Sequence, residues 1–301
     1  MKMPFVRAKT ATTLQAKLDA TREKLKEKDR RLLKCQTDLT ELLGQFRDNE
    51  GVESQGKSLG HLLASLDPRK LLSLRYLRGD GLEIGALHRA TPTASGARTR
   101  YYDYMSAADS RKRLPELSQE TLAEIDYIGN GETLDLIANS SQDYIIANHM
   151  LEHCQNVIGT LRVFWSKLKT GGALFITLPD KRYTFDYKRE VTPFEHLEED
   201  DRNGPSASLY QHYLDYLMGA HGLDPSQVES EGTVRAKPHV DIHFHVWTQA
   251  DMLEMFIRLQ RDHGFNWEID CSMRNHGEVV TVLRKEDVVS WNRAAPATMP
   301  A

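Results

Sequence analysis

The stretch that decides the fold is Asp143-Tyr-Ile-Ile-Ala-Asn-His-Met-Leu-Glu-His153. Its first half is a run of apolar residues, which is typical of a strand that is buried on both faces of a parallel sheet. Its second half turns polar where a helix is expected to begin. Ligands of open parallel sheets bind beyond the carboxyl ends of the strands, so Asn148 and His149 are predicted to face a binding site.

The same strand-to-loop transition recurs on both sides of this stretch. Upstream, Gly81-Leu-Glu-Ile-Gly85 ends in a glycine and Asp103 closes the next candidate strand; downstream, a strand ends at Pro179-Asp180. Alternating strands and helices predict an α/β fold with a Rossmann-like, doubly wound parallel sheet. The predicted strands lie near 81–84, 99–103, 125–129, 143–148, 173–178, 265–271 and 278–284, and the clearest helices span 156–168 and 248–262.

Composition places the chain among ordinary soluble proteins. Its 301 residues carry a net charge of −4, with 40% hydrophobic and 27% charged residues. No apolar run approaches the roughly eighteen residues of a membrane span, and the first residues lack the apolar core of a secretory signal. The three cysteines are scattered, which is typical of a reducing compartment, so a cytoplasmic protein is expected. Positive charge is concentrated in the first fifty residues, and the acidic remainder disfavours nucleic acid as a partner.

A heptad of apolar residues marks the N-terminal segment, residues 1–47. The second row of heptad positions, which would complete the contact surface of a coiled coil, is only half apolar. The flanking charges are only partly complementary to those of a parallel partner helix. The segment is predicted to be a coiled coil that dimerises the protein or docks another chain, or else a partly solvated amphipathic helix. A polar linker over 48–60 leads to a domain over 61–286, and residues 287–301 form a tail. The apolar seam consists of Leu18, Leu25, Leu32, Leu39 and Phe46.

The alternation of strands and helices stops after Asp180 and resumes near residue 248. The intervening segment, 181–246, is rich in His, Tyr, Asp and Arg. Insertions of this length are commonly functional, so a substrate lid is expected, and its many aromatic residues favour an ordered one. His243 and His245 alternate around Phe244, which predicts that both lie on one face of a strand.

The order and spacing of several motifs indicate a known family. Between residues 78 and 285 the sequence resembles class I methyltransferases dependent on S-adenosyl-L-methionine (SAM). The resemblance is to the bacterial branch found with glycosyltransferases in polysaccharide pathways. It implies a seven-stranded methyltransferase sheet and SAM as cofactor. The matching segments are Leu-Glu-Ile-Gly85, Tyr-Tyr-Asp103, Gly-Asn-Gly-Glu-Thr-Leu134, Ala-Asn-His-Met-Leu-Glu-His153, Leu-Pro-Asp-Lys-Arg-Tyr-Thr-Phe-Asp186 and His-Phe-His-Val-Trp-Thr248.

The resemblance implies cofactor contacts at the ends of four strands. Gly85 lets the backbone turn sharply toward the methionine end of SAM, with amides available for its carboxylate, and Glu83 orients that loop. Asp103 is suited to accept hydrogen bonds from both ribose hydroxyls. The amide oxygen of Asn130, where relatives commonly have Asp, is suited to the adenine amino group. The implied set is Glu83, Gly85, Ala86, Asp103, Asn130, Gly131, Glu132, Asn148 and His149.

Methyl transfer to a hydroxyl requires in-line approach and removal of a proton, for which histidine is suited. A divalent cation near the acceptor, ligated by Asp180, His243 and carboxylates of the insertion, is left undecided. His149 to His153 also spells H-x-x-E-H, the inverted zinc-peptidase motif of a helix. Its position at a strand end argues against a peptidase. The candidate catalytic residues are His149, His153, Asp180, His243 and His245.

The predicted function is O-methylation of a sugar or glycan-type hydroxyl, with a histidine as general base. The glycan acceptor rests on the resemblance alone. Two alternatives stay open at this point: an N- or C-methyltransferase of a small metabolite, and a non-catalytic SAM-binding scaffold that is organised by the heptad helix.

Overall fold

The computed structural model describes residues 67–117, 119–230 and 242–287. Its centre is a seven-stranded sheet of order β3-β2-β1-β4-β5-β7-β6. All neighbouring strands are parallel except where β7 runs antiparallel to β5 and β6. The predicted doubly wound, seven-stranded sheet is therefore confirmed. The strands are β1 (Asp80–Ile84), β2 (Arg98–Asp103), β3 (Tyr127–Ile128), β4 (Gln142–Asn148), β5 (Leu168–Pro179), β6 (Trp267–Asn275) and β7 (Glu278–Lys285).

Helices cover both faces of this sheet. One face packs against α1, and the opposite face packs against α3 and α7. The described part of the insertion between β5 and α7 contains three helices, α4, α5 and α6, which follow two short 3₁₀ turns. The helices are α1 (Pro68–Tyr76), α2 (Ala107–Arg113), α3 (Val157–Lys167), α4 (Phe194–Asn203), α5 (Leu209–Gly219), α6 (Pro225–Ser230) and α7 (Gln249–Asp262).

Strand β4 shows why its sequence is apolar without alternation. Ile145 and Ala147 face the core formed with α3 and α7, whereas Tyr144 and Ile146 face the core that includes α1. All four side chains are fully buried. A strand covered on both faces therefore needs consecutive apolar residues where it crosses the core, and its polar side chains stand at its two ends.

Two local predictions differ from the structure. The helix expected directly after β4 is a single 3₁₀ turn, Leu151–His153, because His149 has a φ of 49° and breaks the helical path. Residues 242–246 lie outside any strand, and their hydrogen bonds run to Glu152 and Thr192 rather than into a ladder. His243 and His245 consequently do not share the face of a strand. They bond to different carboxylates, as described below.

The heptad segment 1–47, the linker 48–60 and residues 288–301 of the tail lie outside the described residues, so those predictions stay predictions. Within the described part of the chain, the helices are all too short or too polar to cross a membrane.

The close contact between β1 and β4 can be tested by substitution. A Cβ on Gly81 would lie 2.3 Å from the buried ring of Tyr144, whose hydroxyl is bonded to Thr99 at 2.7 Å. We expect Gly81→Ala to lower the free energy of unfolding by about 1–3 kcal/mol through overpacking. Urea denaturation measures this free energy of unfolding. Gly277→Ala is the control, since its Cβ would meet the nearest atom at an ordinary 3.4 Å. Equal stability of the two variants would contradict this packing.

Candidate functional site

Gly85 and Asp103 lie at the carboxyl ends of β1 and β2, on one edge of the sheet. Gly85 has a φ of 67°, and its N–H donates to Tyr102 at 3.0 Å, so the chain turns away from β1 beside β2. A Cβ at Gly85 would find no atom within 4 Å, so this backbone faces open space, whereas the next residue, Ala86, is buried. Burial raises the pKa of the Asp103 carboxyl, although the backbone N–H groups of Met105, at 3.4 Å, and of Tyr104 act against it. An open backbone beside a desolvated carboxylate fits a ligand that offers hydroxyl groups.

Glu83 and Asn148 form a hydrogen-bonded network beneath this edge. Both carboxylate oxygens of Glu83 accept from the backbone N–H of Thr91, at 2.9 and 3.2 Å, and Oε1 also accepts from its hydroxyl at 2.6 Å. The Asn148 amide donates to the Thr91 hydroxyl at 2.9 Å and accepts from Thr177 at 2.6 Å. These side chains therefore position the loop after β1. Asn148 was expected to face the ligand, but its amide is engaged within the protein.

The loop after β3 holds the other implied adenosine contacts. Asn130 Oδ1 accepts from the backbone N–H of Glu132 at 2.8 Å, so the amide oxygen that was expected to meet adenine closes its own turn. A Cβ on Gly131 would lie 2.9 Å from Ile84 and 3.0 Å from Met150, which shows that this loop packs closely onto the ends of β1 and β4. Burial raises the pKa of Glu132.

His149, directly after β4, lies between two carboxylates. Its Nε2 is 2.7 Å from Glu278 Oε2 and its Nδ1 is 3.3 Å from Glu152 Oε1. Loss of solvent lowers the pKa of His149, but the two carboxylates outweigh that effect and raise it to about 9. His149 therefore carries a proton at neutral pH. It is suited to hold an anionic or acceptor group of a ligand and not to remove a proton.

Asp180, which follows β5, is fully buried, and its carboxylate accepts hydrogen bonds from within the protein. One oxygen accepts from Arg182 Nε at 2.9 Å and the other from Arg182 Nη2 at 2.6 Å, while Gln249 N–H adds a bond at 3.2 Å. Burial raises the pKa of Asp180, but the bonds to Arg182 outweigh this and lower it overall. The carboxylate thus joins the start of the insertion to the start of α7. It belongs to no cluster of metal-ligating groups among the described residues.

His153 and His243 meet where the insertion returns to β4. Their rings are 4.8 Å apart. His153 Nδ1 lies 3.0 Å from the Ile242 carbonyl oxygen, so this nitrogen donates, and His243 Nδ1 lies 2.6 Å from Asp186 Oδ2. Burial raises the pKa of Asp186, but His243 and Arg189 lower it further than burial raises it.

Residues that sequence reasoning did not select complete this region. The buried Glu152 carboxylate lies with His153 and His243 in a trio whose ligating atoms are within 4.8 Å, a set that suits a divalent cation. The guanidinium of Arg189 is fully buried beside Asp186. Arg189 lies in a run of charged residues that is typical of a protein surface. No signal in the sequence distinguishes this buried arginine from the exposed Lys188.

His245 is fully buried and bonds through Nε2 to Asp200 at 3.3 Å, beside His196 and His212. A substrate therefore cannot touch it directly. His149 and His153 contact different partners and fall in no common metal-ligating group of the described residues, so the zinc-peptidase alternative is not supported.

A cleft of about 590 Å³ opens beside His149. Its volume lies in the range of small-molecule sites, roughly 300–1,000 Å³. Arginine and lysine side chains from α1 and from the loop after β1 face the turn between β6 and β7. The principal lining residues are Arg69, Lys70, Arg89, His149, His276 and Glu278.

The ion pair of His149 is testable by titration. The pKa of His149 in the folded protein exceeds the ordinary value of 6.5. The stabilisation by the ion pair is therefore fully present below a pH of about 6.5 and is lost as the pH rises through about 9. We expect NMR to show His149 titrating near pH 9, and Glu278→Gln to bring its pKa down toward 6.5. Glu268→Gln, an exposed partner of Arg284, is the control. A wild-type midpoint near 6.5 would refute the ion pair.

Comparison with known proteins shows which family the chain is similar to. A sequence-family model described as a methyltransferase domain matches residues 63–228. Curated protein sequences give no significant match. A SAM-dependent methyltransferase structure from Methanosarcina mazei is 17% identical, with a TM-score of 0.40, covering 73% of this chain and 98% of that one. A Thermotoga maritima structure, described as a SAM-dependent methyltransferase and possible histamine N-methyltransferase, is 12% identical, with a TM-score of 0.37, covering 72% and 88%. The family model spans more than half of the sequence, and the chain belongs to the methyltransferase-domain family.

Proposed function

We propose that this protein transfers a methyl group from SAM to a hydroxyl of a sugar or glycan-type acceptor, with His243 as the general base. The observation that carries the proposal is the bonded pair of Asp186 and His243, in which His243 also belongs to the trio with Glu152 and His153 at the exit of β4. Family membership supports methyl transfer, and the rim formed by Gly85 and Asp103 supports binding of a nucleoside at the carboxyl edge.

SAM would be held by the loops at that edge. The Asp103 carboxylate would accept hydrogen bonds from ribose hydroxyls, and the backbone after Gly85 would receive the methionine end. SAM, when bound, supplies an electrophilic methyl group on a sulfonium. The protein contributes by orienting an acceptor in line with that group and by excluding water, because positioning accounts for much of the acceleration in such reactions.

The tautomer of His243 follows from its partner. The pKa of Asp186 is lowered by His243 and Arg189 against the effect of burial, so its carboxylate accepts the proton on His243 Nδ1. Nε2 is then the basic nitrogen of the ring and can accept a proton from an acceptor hydroxyl. His153 donates through Nδ1 to the Ile242 carbonyl and has the same tautomer, which makes it the second candidate for the base.

Arg189 positions this base. Its guanidinium donates to Asp186 at 2.9 Å, to the carbonyl oxygen of His243 at 2.8 Å and to that of Phe244 at 3.3 Å. One buried cation thus holds both the carboxylate and the backbone that carries the histidine. A geometry this constrained limits the freedom of the ring, as a catalytic base requires.

The glycan acceptor is supported by exposed aromatic rings on the insertion. Tyr183, Phe185 and Tyr187 each expose more than half of their surface, and the ring of Phe185 lies 4.9 Å from that of His243. Aromatic faces with polar edges suit ligands that alternate apolar and hydroxylated surface, as sugars do. The resemblance to methyltransferases of polysaccharide pathways points to the same class of acceptor.

The donor site is tested by calorimetry with SAM and its demethylated product. Asp103→Asn is expected to weaken binding of both by roughly 10- to 100-fold, or about 1.5–3 kcal/mol, because a charged acceptor of two hydroxyl hydrogen bonds is lost. Asp109→Asn, an exposed residue of α2 paired with Lys112, is the matched control. No binding by the wild-type protein would remove the donor assignment altogether.

The base is tested with a panel of hydroxylated sugars and detection of methylated product. We expect His243→Ala to lower kcat by roughly 10²–10⁴-fold, with unchanged affinity for SAM and partial rescue by added imidazole. His221→Ala, an exposed histidine of the same insertion, is the control. Full turnover by His243→Ala would exclude it as the base, and the same substitution at His153 would then be examined.

The two other functions predict different results. An N- or C-methyltransferase would bind SAM equally and methylate amines or carbon acids in place of sugars. A scaffold would bind SAM, or neither nucleoside, and would methylate nothing. The proposed heptad helix, through self-association or docking, is compatible with all three.

A further inference from the structure

We propose that His196, Asp200, His212 and His245 form a zinc site that clasps the insertion to the methyltransferase domain. The site is separate from the proposed donor and acceptor positions, and its existence does not depend on methyl transfer. Each of the four side chains offers one ligating atom, and all four atoms lie within 4.8 Å of one another.

Four of the six separations among these atoms are those expected for a tetrahedron around zinc. His196 Nε2 lies 3.2 Å from His212 Nε2. Asp200 Oδ2 lies 3.3 Å from His196 Nε2, 3.6 Å from His212 Nε2 and 3.3 Å from His245 Nε2. Zinc binds imidazole nitrogen and carboxylate oxygen at about 2.0–2.1 Å, and a tetrahedron with such bonds has edges of about 3.3–3.4 Å. The four measured separations are close to this value.

Hydrogen bonding alone accounts poorly for the arrangement. The Nε2 atoms of His196 and His212 are 3.2 Å apart, so they cannot both carry a hydrogen. Both atoms, and Nε2 of His245, also face the same oxygen, Asp200 Oδ2. In a largely buried setting, a polar group without a matched partner is costly. A cation at the centre would let all three Nε2 lone pairs and the carboxylate oxygen point to one partner.

The surrounding residues orient the ligands. His196 and Asp200 are four residues apart on α4, which places them on one face of the helix. Ser208 donates to Asp200 Oδ1, which leaves Oδ2 directed at the three histidines. The ring of His245 stacks on the buried Trp247 at 5.7 Å. Such outer contacts fix the orientation of ligands in metal sites.

The chemistry of the set favours zinc and a structural role. Three imidazoles and one carboxylate in a tetrahedron suit Zn²⁺, whereas Mg²⁺ and Ca²⁺ prefer oxygen ligands in larger numbers. Four protein ligands fill a tetrahedron, so no position is left for substrate or water. Side-chain exposure decreases from 27% at His196 to 0% at His245, which fits a closed site.

The elements that supply the ligands explain what a clasp would do. Helix α4 provides two, α5 provides one, and the segment before α7 provides His245. That segment is joined to the sheet edge, since Trp247 bridges to Asp180 and its carbonyl accepts from Lys181 N–H at 2.9 Å. One ion would therefore tie two helices of the insertion to the carboxyl end of β5.

Metal analysis of the full-length protein tests the proposal. We expect about one zinc per chain by mass spectrometry, and X-ray absorption showing nitrogen and oxygen ligands at about 2.0–2.1 Å. Removal of zinc by a chelator should lower Tm by roughly 5–15 °C, and zinc but not magnesium should restore it.

Variants locate the ion. His196→Gln keeps much of the side-chain volume at the most exposed ligand, and His212→Gln removes a buried one; both should lose zinc. His243→Ala should retain it, which separates this site from the trio of Glu152, His153 and His243. If a variant fails to fold, the metal content and absorption spectrum of the wild-type protein decide alone. Wild-type protein that neither contains zinc nor takes it up at micromolar concentration would overturn the proposal. Zinc retained in His212→Gln but lost in His243→Ala would also overturn it.

Discussion

A buried carboxylate at the end of β1 organises the carboxyl ends of three neighbouring strands. Glu83 is almost fully buried, and burial raises its pKa despite the hydrogen bonds from Thr91. A buried carboxylate is stable only when its oxygens are satisfied. The donors come from the loop after β1 and from Asn148 at the end of β4, which is itself bonded to Thr177 of β5. The loops that would hold a ligand are thereby fixed to three neighbouring strands.

A second buried charge organises the insertion in the same way. The guanidinium of Arg189 meets the carboxylates of Asp186 and Asp215 and two backbone carbonyls, so the cation is compensated on every side described. Because three described helices, α4, α5 and α6, lie between Arg189 and His243, this contact closes a long loop. In the described part of the insertion, which has no strand, it gives one histidine a defined position.

The sequence predicted the sheet well because strand burial follows directly from side-chain chemistry. The apolar run at β4 and the apolar strand β5 could only be central strands, and both are. Roles beyond the strand ends were harder, because they depend on contacts with distant residues. His149 has a raised pKa because Glu152 and Glu278, the latter on the distant strand β7, both lie beside it. Asp180 looked like a ligand because it ends a strand, yet its oxygens are taken by Arg182 and α7.

His243 and His245 bond to different carboxylates although they lie in one short segment. Sequence alternation placed both on one face, but residues 242–246 form no ladder, so each side chain follows its own carboxylate, Asp186 or Asp200. Phe244 N–H donates to the Glu152 carbonyl at 2.7 Å and holds the backbone between them. Anything that orders His245, such as the proposed ion, must therefore also restrict the backbone of His243. The stability of the clasp and the placement of the base would be coupled through two peptide units, without any contact between the ion and the substrate.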